Sequence, residues 1–176
     1  MNWTPENLEE YISVSQLQQR ISLLGAEITK SYQGKELYVI GVLNGCMLFY
    51  SDLVRQIDLP ITCDFLGLSS YGADTKSSGV VKFTKDLSHP IAGKDVLIVE
   101  DIVDTGLTLS YLQKNLKTRS PNSVQICSLL SKPSRRKVEV HIDHLGFTIE
   151  DHFVVGYGLD LDGKYRNLPY IGRFHY

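Results

Sequence analysis

The sequence has few cysteines, no long apolar run and no excess of charge of either sign. Its 176 residues include three cysteines, none of them in a C-x-x-C pair, which argues against a disulfide framework and against a zinc site. No stretch approaches the roughly 18 consecutive apolar residues that a membrane-spanning helix needs. The formal net charge is −2, so the chain as a whole has no electrostatic preference for nucleic acid or for an anionic membrane.

Length and composition indicate an ordinary globular protein. Hydrophobic residues make up 43% of the chain and charged residues 22%, and a chain of this length suits one domain. The first ten residues are polar and acidic, without the apolar core of a signal peptide. We therefore expect a single-domain cytoplasmic protein whose thiols stay reduced.

Apolar segments of strand character alternate with segments of helical periodicity. A helix is predicted from Ser15, where apolar residues recur at spacings of three and four and where Ser15 and Gln18 fit a capping box. Further helices are predicted over 47–56 and after residue 108. Predicted strands lie at 37–43, 61–68, 80–83, 96–99, 123–130 and 153–155. Apolar strands separated by helices predict an α/β fold, a doubly wound parallel sheet covered on both faces.

One segment combines three carboxylates with a glycine-containing turn. Glu100 and Asp101 follow the most apolar predicted strand, Asp104 comes three residues later, and 105–108 opens the next helix. Backbone N–H groups and the positive end of the helix dipole make such a turn a phosphate site. Acidic side chains beside a phosphate make sense if they hold ribose hydroxyls or a magnesium ion.

The same residues permit other interpretations. A strand-to-helix turn with solvated acids would have this composition too. The triplet D-T-G at 104–106 also occurs in aspartic proteases, where two copies stand in an all-β setting, whereas here it opens a helix. Neither G-x-x-x-x-G-K-[ST] nor G-x-G-x-x-G is present.

The segment V-E-D-I-V-D-T-G-L-T at 99–108 resembles the phosphoribosyl-pyrophosphate signature of the type I phosphoribosyltransferases, most closely that of the hypoxanthine-guanine branch. The similarity extends from about Ser15 to Arg166. It implies a parallel β-sheet flanked by helices, with a core at about 15–155 and a small hood from 156–176 plus the N-terminal segment. It also implies Mg²⁺ as cofactor, phosphoribosyl pyrophosphate and a 6-oxopurine base (hypoxanthine or guanine) as substrates, and a homodimer or homotetramer.

The resemblance assigns roles within the acidic segment. Glu100 and Asp101 would hold the ribose hydroxyls and the associated magnesium, and Asp104 would be the general base near purine N7. The 5′-phosphate would be wrapped by Asp104, Thr105, Gly106, Leu107 and Thr108.

Shorter matches assign the residues that bind the leaving pyrophosphate and those of a loop that closes over the site. Asn44 and Gly45 match the family's pyrophosphate loop, although Lys or Arg often stands where Asn44 is, and Arg166 matches a pyrophosphate-binding arginine. Ser70 and Tyr71 match the start of a flexible loop that covers the site during reaction. The alternative interpretation of Asn44 and Gly45 is an ordinary strand–helix turn. That of Ser70 and Tyr71 is an exposed hairpin tip.

The purine site is assigned by two further segments. Lys132 would donate to the 6-oxo oxygen, and because lysine donates and cannot accept, it disfavours adenine. In the match D-H-F-V-V-G-Y-G-L-D at 151–160, Phe153 would stack on the purine, the Val154 backbone would meet its edge, and Asp160 would bind magnesium through water.

Two alternatives stay open at this point. A non-catalytic relative would bind the same ligand and regulate transcription or RNA, but it would need a nucleic-acid surface, and the cluster Arg135-Arg136-Lys137 is interpreted as a solvated basic turn. A second enzyme alternative keeps the fold and takes xanthine or a pyrimidine.

Overall fold

The computed structural model describes residues 5–70 and 81–175 as an α/β fold with two sheets. The strands are β1 (Leu8–Ile12), β2 (Leu37–Leu43), β3 (Ile61–Ser70), β4 (Val81–Lys85), β5 (Asp95–Val103), β6 (Ser123–Ser131), β7 (His144–Thr148), β8 (Val154–Val155) and β9 (Ile171–Phe174). The helices are α1 (Val14–Ser31), α2 (Met47–Val54) and α3 (Leu107–Lys117), with a 3₁₀ turn at Pro133–Arg135. Within these ranges no helix is both long and apolar enough to cross a membrane.

The N-cap of the first helix is Ser13, two residues before the predicted cap at Ser15. Ser13 is extended, and its side chain accepts from the Gln16 N–H while the Gln16 side chain accepts from the Ser13 N–H. This is a capping box, so the box predicted at Ser15 and Gln18 was wrong. Because β1 ends at Ile12, Ser13 is the residue at which the extended chain turns into the helix.

The large sheet has the order β4-β3-β2-β5-β6-β7, and only its edge pair β3–β4 is antiparallel. Its central strands are buried on both faces. Val39 and Leu97 pack with α1 and α2, whereas Ile40 and Ile98 pack with α3. This alternation confirms the predicted parallel sheet between two helical layers. Because β2, β5 and β6 run parallel, their carboxyl ends lie at one edge of the sheet.

The small sheet is antiparallel and has the order β1-β9-β8. It joins the N-terminal segment to the C-terminal one, with Leu8 opposite Phe174 and Val155 opposite Gly172. The strand at β9 was not predicted, because only two of its four residues are buried and its sequence shows no alternation. The small sheet lies beside the carboxyl edge of the large one, since residue 158 contacts the loop after β2.

Candidate active site

Glu100 and Asp101 lie inside β5, which runs four residues beyond its predicted end. Glu100 is 7% exposed, and burial, with a smaller contribution from the neighbouring Asp101 charge, raises its pKa well above the usual value. Burial also raises the pKa of Asp101 to about 6, although the Ile102 N–H donates to its Oδ1 at 2.8 Å and favours the charged form. Two adjacent acids that resist ionisation are poised to bind hydroxyl donors or a cation.

The turn after β5 has the geometry of an anion site. Gly106 is the N-cap of α3 with φ 81°, and a Cβ there would lie 2.5 Å from the Val138 carbonyl oxygen, so only glycine fits. Gly106 has no side chain with which to cap this helix. Among the described residues the Thr105 hydroxyl accepts from the Leu107 N–H at 3.4 Å, and the next N–H groups of the first turn are available to a ligand. They face a cavity of 120 Å³ lined by Glu100, Ile102, Val103, Asp104, Thr105, Gly106, Thr108 and Leu109.

A second cavity joins the ends of β2 and β5. It measures 230 Å³ and is lined by Val42, Leu43, Gly45, Leu68, Glu100, Asp101 and Thr108. The Leu43–Asn44 peptide at its rim is cis. A Cβ on Gly45 would lie 1.6 Å from Asp101 Oδ2, so the absence of a side chain lets the loop backbone contact the carboxylate. The two cavities share Glu100 and Thr108 and therefore meet at the acidic segment.

Arg166 lies next to the loop after β2. Its guanidinium donates to the Gly158 carbonyl at 2.6 Å and pairs with Asp160 at 2.7 Å. Gly158, with φ 102°, would place a Cβ only 2.0 Å from the Gly45 carbonyl oxygen. The three residues predicted to bind pyrophosphate, Asn44, Gly45 and Arg166, are thus on adjoining segments. Glycine at 158 makes this approach possible, and the sequence analysis had given it no role.

The side of the site predicted for the purine is built on the end of β6. Lys132 is 6% exposed, and its N–H donates to the Val103 carbonyl at 3.0 Å, which fixes it beside the Asp104 turn. Its ammonium lies 3.7 Å from Asp151 Oδ1. Arg135 links the same carboxylate, at 3.4 Å, to Asp104 Oδ1, at 3.1 Å.

Two of the remaining predicted residues, Phe153 and Val154, are at the small sheet. Phe153 is 43% exposed, and its ring centroid lies 6.3 Å from that of Phe174, while Val154 is buried in β8. Ser70 ends β3, and Tyr71 lies outside the described residues.

The carboxylates predicted to bind magnesium do not form a ligand cluster by themselves. In residues 5–70 and 81–175 no group of three or more His, Cys, Asp or Glu side chains could hold a metal ion. Asp160 is near enough to raise the pKa of Asp101 by charge repulsion, yet it is paired with Arg166. Glu100 and Asp101 are the oxygen donors that face the cavity.

Arg135 and Asp151 are the residues that the sequence analysis missed in this site. Arg135 was interpreted as part of a solvated turn, and nothing in the pattern distinguishes it from Arg136. The signal is three-dimensional: the chain after β6 is tied back to the Asp104 turn because the N–H groups of Lys137 and Val138 donate to the Thr105 carbonyl at 2.9 and 3.1 Å.

Comparisons with known proteins agree with this geometry. A family model described as a phosphoribosyl transferase domain matches residues 11–162. The chain is 51% identical over 167 residues to a hypoxanthine-guanine phosphoribosyltransferase of Mycobacterium avium, covering 92% of this chain and 82% of that protein. It is 50% identical over 161 residues to the Bacillus subtilis (strain 168) protein of the same name, covering 92% and 89%. A crystal structure of hypoxanthine phosphoribosyltransferase from Staphylococcus aureus superposes with a TM-score of 0.91 at 46% identity, covering 95% of this chain and 91% of that one.

Proposed function

The chain belongs to the phosphoribosyltransferase family, and we propose that it transfers the 5-phosphoribosyl group of phosphoribosyl pyrophosphate to hypoxanthine and guanine. The products are the purine nucleoside 5′-monophosphate and pyrophosphate, so the enzyme serves purine salvage. The observation that carries the proposal is the meeting of the acidic segment 99–108, the buried Lys132 and the loop Asn44–Gly45 at one sheet edge.

The ribose 5-phosphate half of the substrate occupies the turn before α3. The N–H groups of the first helical turn and the hydroxyls of Thr105 and Thr108 bind the phosphate, and the long contact between the Leu107 N–H and the Thr105 hydroxyl (3.4 Å) gives way to it. Glu100 and Asp101 accept hydrogen bonds from the ribose hydroxyls. Their raised pKa values mean that such donors, or a cation, stabilise a charge that the empty site disfavours.

The leaving pyrophosphate lies over the loop after β2. The amides of Asn44 and Gly45 donate to it, and Arg166, adjacent to Gly45 through Gly158, offers a planar fork for a pair of diphosphate oxygens. Such preorganised donors stabilise the charge that develops as the C1–oxygen bond breaks.

The purine lies between Lys132 and Phe153. The Lys132 ammonium donates to the 6-oxo oxygen, Phe153 stacks on the ring, and Val154 meets its edge through its backbone. Asp104 accepts the proton at purine N7, while N9 of the same base bonds to ribose C1. An adenine amino group would face a lysine that cannot accept its hydrogen bond, which favours 6-oxopurines.

Magnesium fits this donor set as part of the substrate complex. Mg²⁺ is commonly bound by one or two carboxylates together with substrate phosphates and waters, which agrees with two cavity-facing acids and no larger cluster among the described residues. Glu100 and Asp101 would hold it, and Asp160 would act through water. When bound, it supplies charge neutralisation for the diphosphate.

The test is an assay of each purine base with phosphoribosyl pyrophosphate and magnesium. We expect nucleotide from hypoxanthine and guanine, little from adenine, and loss of turnover on chelation. Nucleotide from xanthine alone would overturn the assignment of the base. Phosphoribosyl pyrophosphate binding without turnover of any base would favour the regulatory relative, and salt-dependent nucleic-acid binding would then be measured.

Three further properties are proposed on the family resemblance. The chain is one catalytic domain with a hood from 156–176 and the N-terminal segment. It acts in the cytoplasm as a homodimer or homotetramer, which light scattering coupled to gel filtration would test. Ser70 and Tyr71 begin a loop that closes over the bound substrates.

A further inference from the structure

Arg135 lies across the carboxylate that is proposed to accept the purine proton. Its Nε is 3.1 Å from Asp104 Oδ1. The Asp104 side chain as a whole is 37% exposed, yet its Oδ1 atom is buried and, among the described residues, has no hydrogen-bond partner. The contact is therefore one of opposite charges that is not aligned as a hydrogen bond, and it shields an acceptor that stays unused.

The same guanidinium is also held from the other side of the site. Its Nη1 lies 3.4 Å from Asp151 Oδ1, and the Lys132 ammonium lies 3.7 Å from that same oxygen. The two groups proposed to meet the purine, Asp104 and Lys132, are thus connected through Arg135 and Asp151. A base that enters between them must compete with this charge network.

The backbone around Arg135 is held by hydrogen bonds, whereas the Arg135 side chain reaches solvent. The following residues are tied to the Asp104 turn, since the N–H groups of Lys137 and Val138 donate to the Thr105 carbonyl. The Arg135 side chain is about half exposed, so it can swing into solvent while Asp151 remains within reach.

We propose that Arg135 covers the purine-accepting edge of the ligand-free site and that a base binds by displacing it from Asp104. This rests on the proposed function. The Arg135–Asp104 ion pair that the base would displace is partly exposed, and such a pair contributes about 0–1 kcal/mol. Removing this pair should therefore tighten apparent base binding by about two- to fivefold.

The experiment is steady-state kinetics with hypoxanthine varied at saturating phosphoribosyl pyrophosphate and magnesium. Arg135→Gln should lower the KM for hypoxanthine about two- to fivefold, with kcat changed less than about twofold. Arg135→Lys keeps the charge but is too short to bridge both carboxylates. Its KM for hypoxanthine should lie between those of the wild type and Arg135→Gln. Lys137→Gln removes the same charge from an exposed side chain two residues away and should match the wild type.

Salt dependence separates this role from a purely structural one. Hypoxanthine is neutral, so ionic strength acts on its KM through the protein. Raising the ionic strength from about 0.01 to about 0.15 M shortens the screening length from about 30 to about 8 Å. The wild-type KM for hypoxanthine should fall toward that of Arg135→Gln, and the KM of that variant should stay constant.

An unchanged or higher KM for hypoxanthine in Arg135→Gln would overturn the proposal. A fall in kcat at constant KM would also overturn it, because Arg135 would then position Asp104 for proton transfer. A wild-type protein that makes no nucleotide would overturn the proposed function and this inference together. Turnover with equal KM values would overturn this inference alone.

Discussion

Two of the buried carboxylates in the large sheet, Asp64 and Glu100, have opposite surroundings. Asp64 of β3 is 5% exposed and accepts hydrogen bonds through both oxygens. Its donors are the Tyr38 hydroxyl at 2.6 Å, the Ser88 N–H at 2.6 Å, the Ser88 hydroxyl at 3.1 Å, the Lys85 ammonium at 3.2 Å and the Phe65 N–H at 2.8 Å. By contrast, within residues 5–70 and 81–175 no donor reaches the side chain of Glu100.

The pKa directions follow from this difference. Burial raises the pKa of Asp64, but the hydrogen bonds from Tyr38, Ser88 and Phe65 and the Lys85 charge outweigh it and hold the pKa well below the usual range. Burial raises the pKa of Glu100 with no opposing contact. On Asp101, burial outweighs the Ile102 and Asp101 N–H groups and the Arg166 charge, so its pKa rises too. A buried acid with a full set of donors is a structural element, whereas a buried acid without them is set up for a ligand.

The largest expected effect is on Asp104, whose Oδ1 lacks a hydrogen-bond partner among the described residues. If acids without a full set of hydrogen-bond donors do the chemistry, Asp104→Asn should lower kcat about 10²–10⁴-fold, because an amide cannot take the purine proton. Titration calorimetry should show that phosphoribosyl pyrophosphate still binds. Asp86→Asn, a substitution at an exposed ion pair with Arg119, is the control, and equal turnover of Asp104→Asn would refute the role.

Asp64→Asn tests the structural side of the comparison. The amide loses the charge and turns an NH₂ group toward donors that need an acceptor, so the free energy of unfolding should fall by about 2–4 kcal/mol. Because the folded-state pKa is depressed, the stabilisation is present above pH about 4 and is lost as the pH falls further. Urea denaturation of the wild type and Asp64→Asn at pH 7 and pH 3 measures their difference in free energy of unfolding. If that difference were the same at both pH values, the predicted role of the Asp64 charge would be contradicted.

Asp101→Asn should raise the free energy of unfolding of the protein without substrate, whereas Asp64→Asn should lower it. A carboxyl whose pKa is raised to about 6 in the folded state destabilises the fold above that pH, and the penalty disappears as the pH falls toward 4. The variant should be more stable than the wild type by about 1–2 kcal/mol at pH 8 and of equal stability at pH 4. It should also bind phosphoribosyl pyrophosphate more weakly, and a variant that is less stable at pH 8 would break the comparison.

The comparison also separates what the sequence predicts from what it does not. The parallel sheet follows from continuous apolar segments such as 96–99, whereas the order of its strands was not predicted. The acidic segment is recognisable by its sequence. The full length of β5 was not predicted because Glu100 and Asp101 interrupt the apolar run. The roles given to the site residues stay predictions.

Asp64 and Arg135 were beyond sequence reasoning for a common reason. Their significance depends on partners distant in the chain: Ser88 is 24 residues from Asp64, and Asp104 is 31 positions before Arg135. An isolated Asp in a strand and an Arg in a basic turn have no local pattern that marks them. Periodicity reports which face is buried, but it does not report which donors arrive there.

The smallest expected effect comes from His144, a buried group with an unpartnered atom that lies outside the site. It is 7% exposed, and within the described part of the chain its Nε2 has no hydrogen-bond partner. Burial lowers its pKa even though the nearby Asp143 and Glu27 charges favour the protonated ring, while Arg20 opposes it. The folded state therefore favours neutral imidazole, and the free energy of unfolding should fall slightly as the pH drops below about 6.5, where the unfolded chain takes up a proton. His144→Asn should lose this dependence between pH 7 and pH 5 in thermal melts while kcat stays the same. A change in kcat would mean that an unpartnered buried group marks function even at β7, and the distinction drawn between Asp64 and Glu100 would then extend beyond carboxylates.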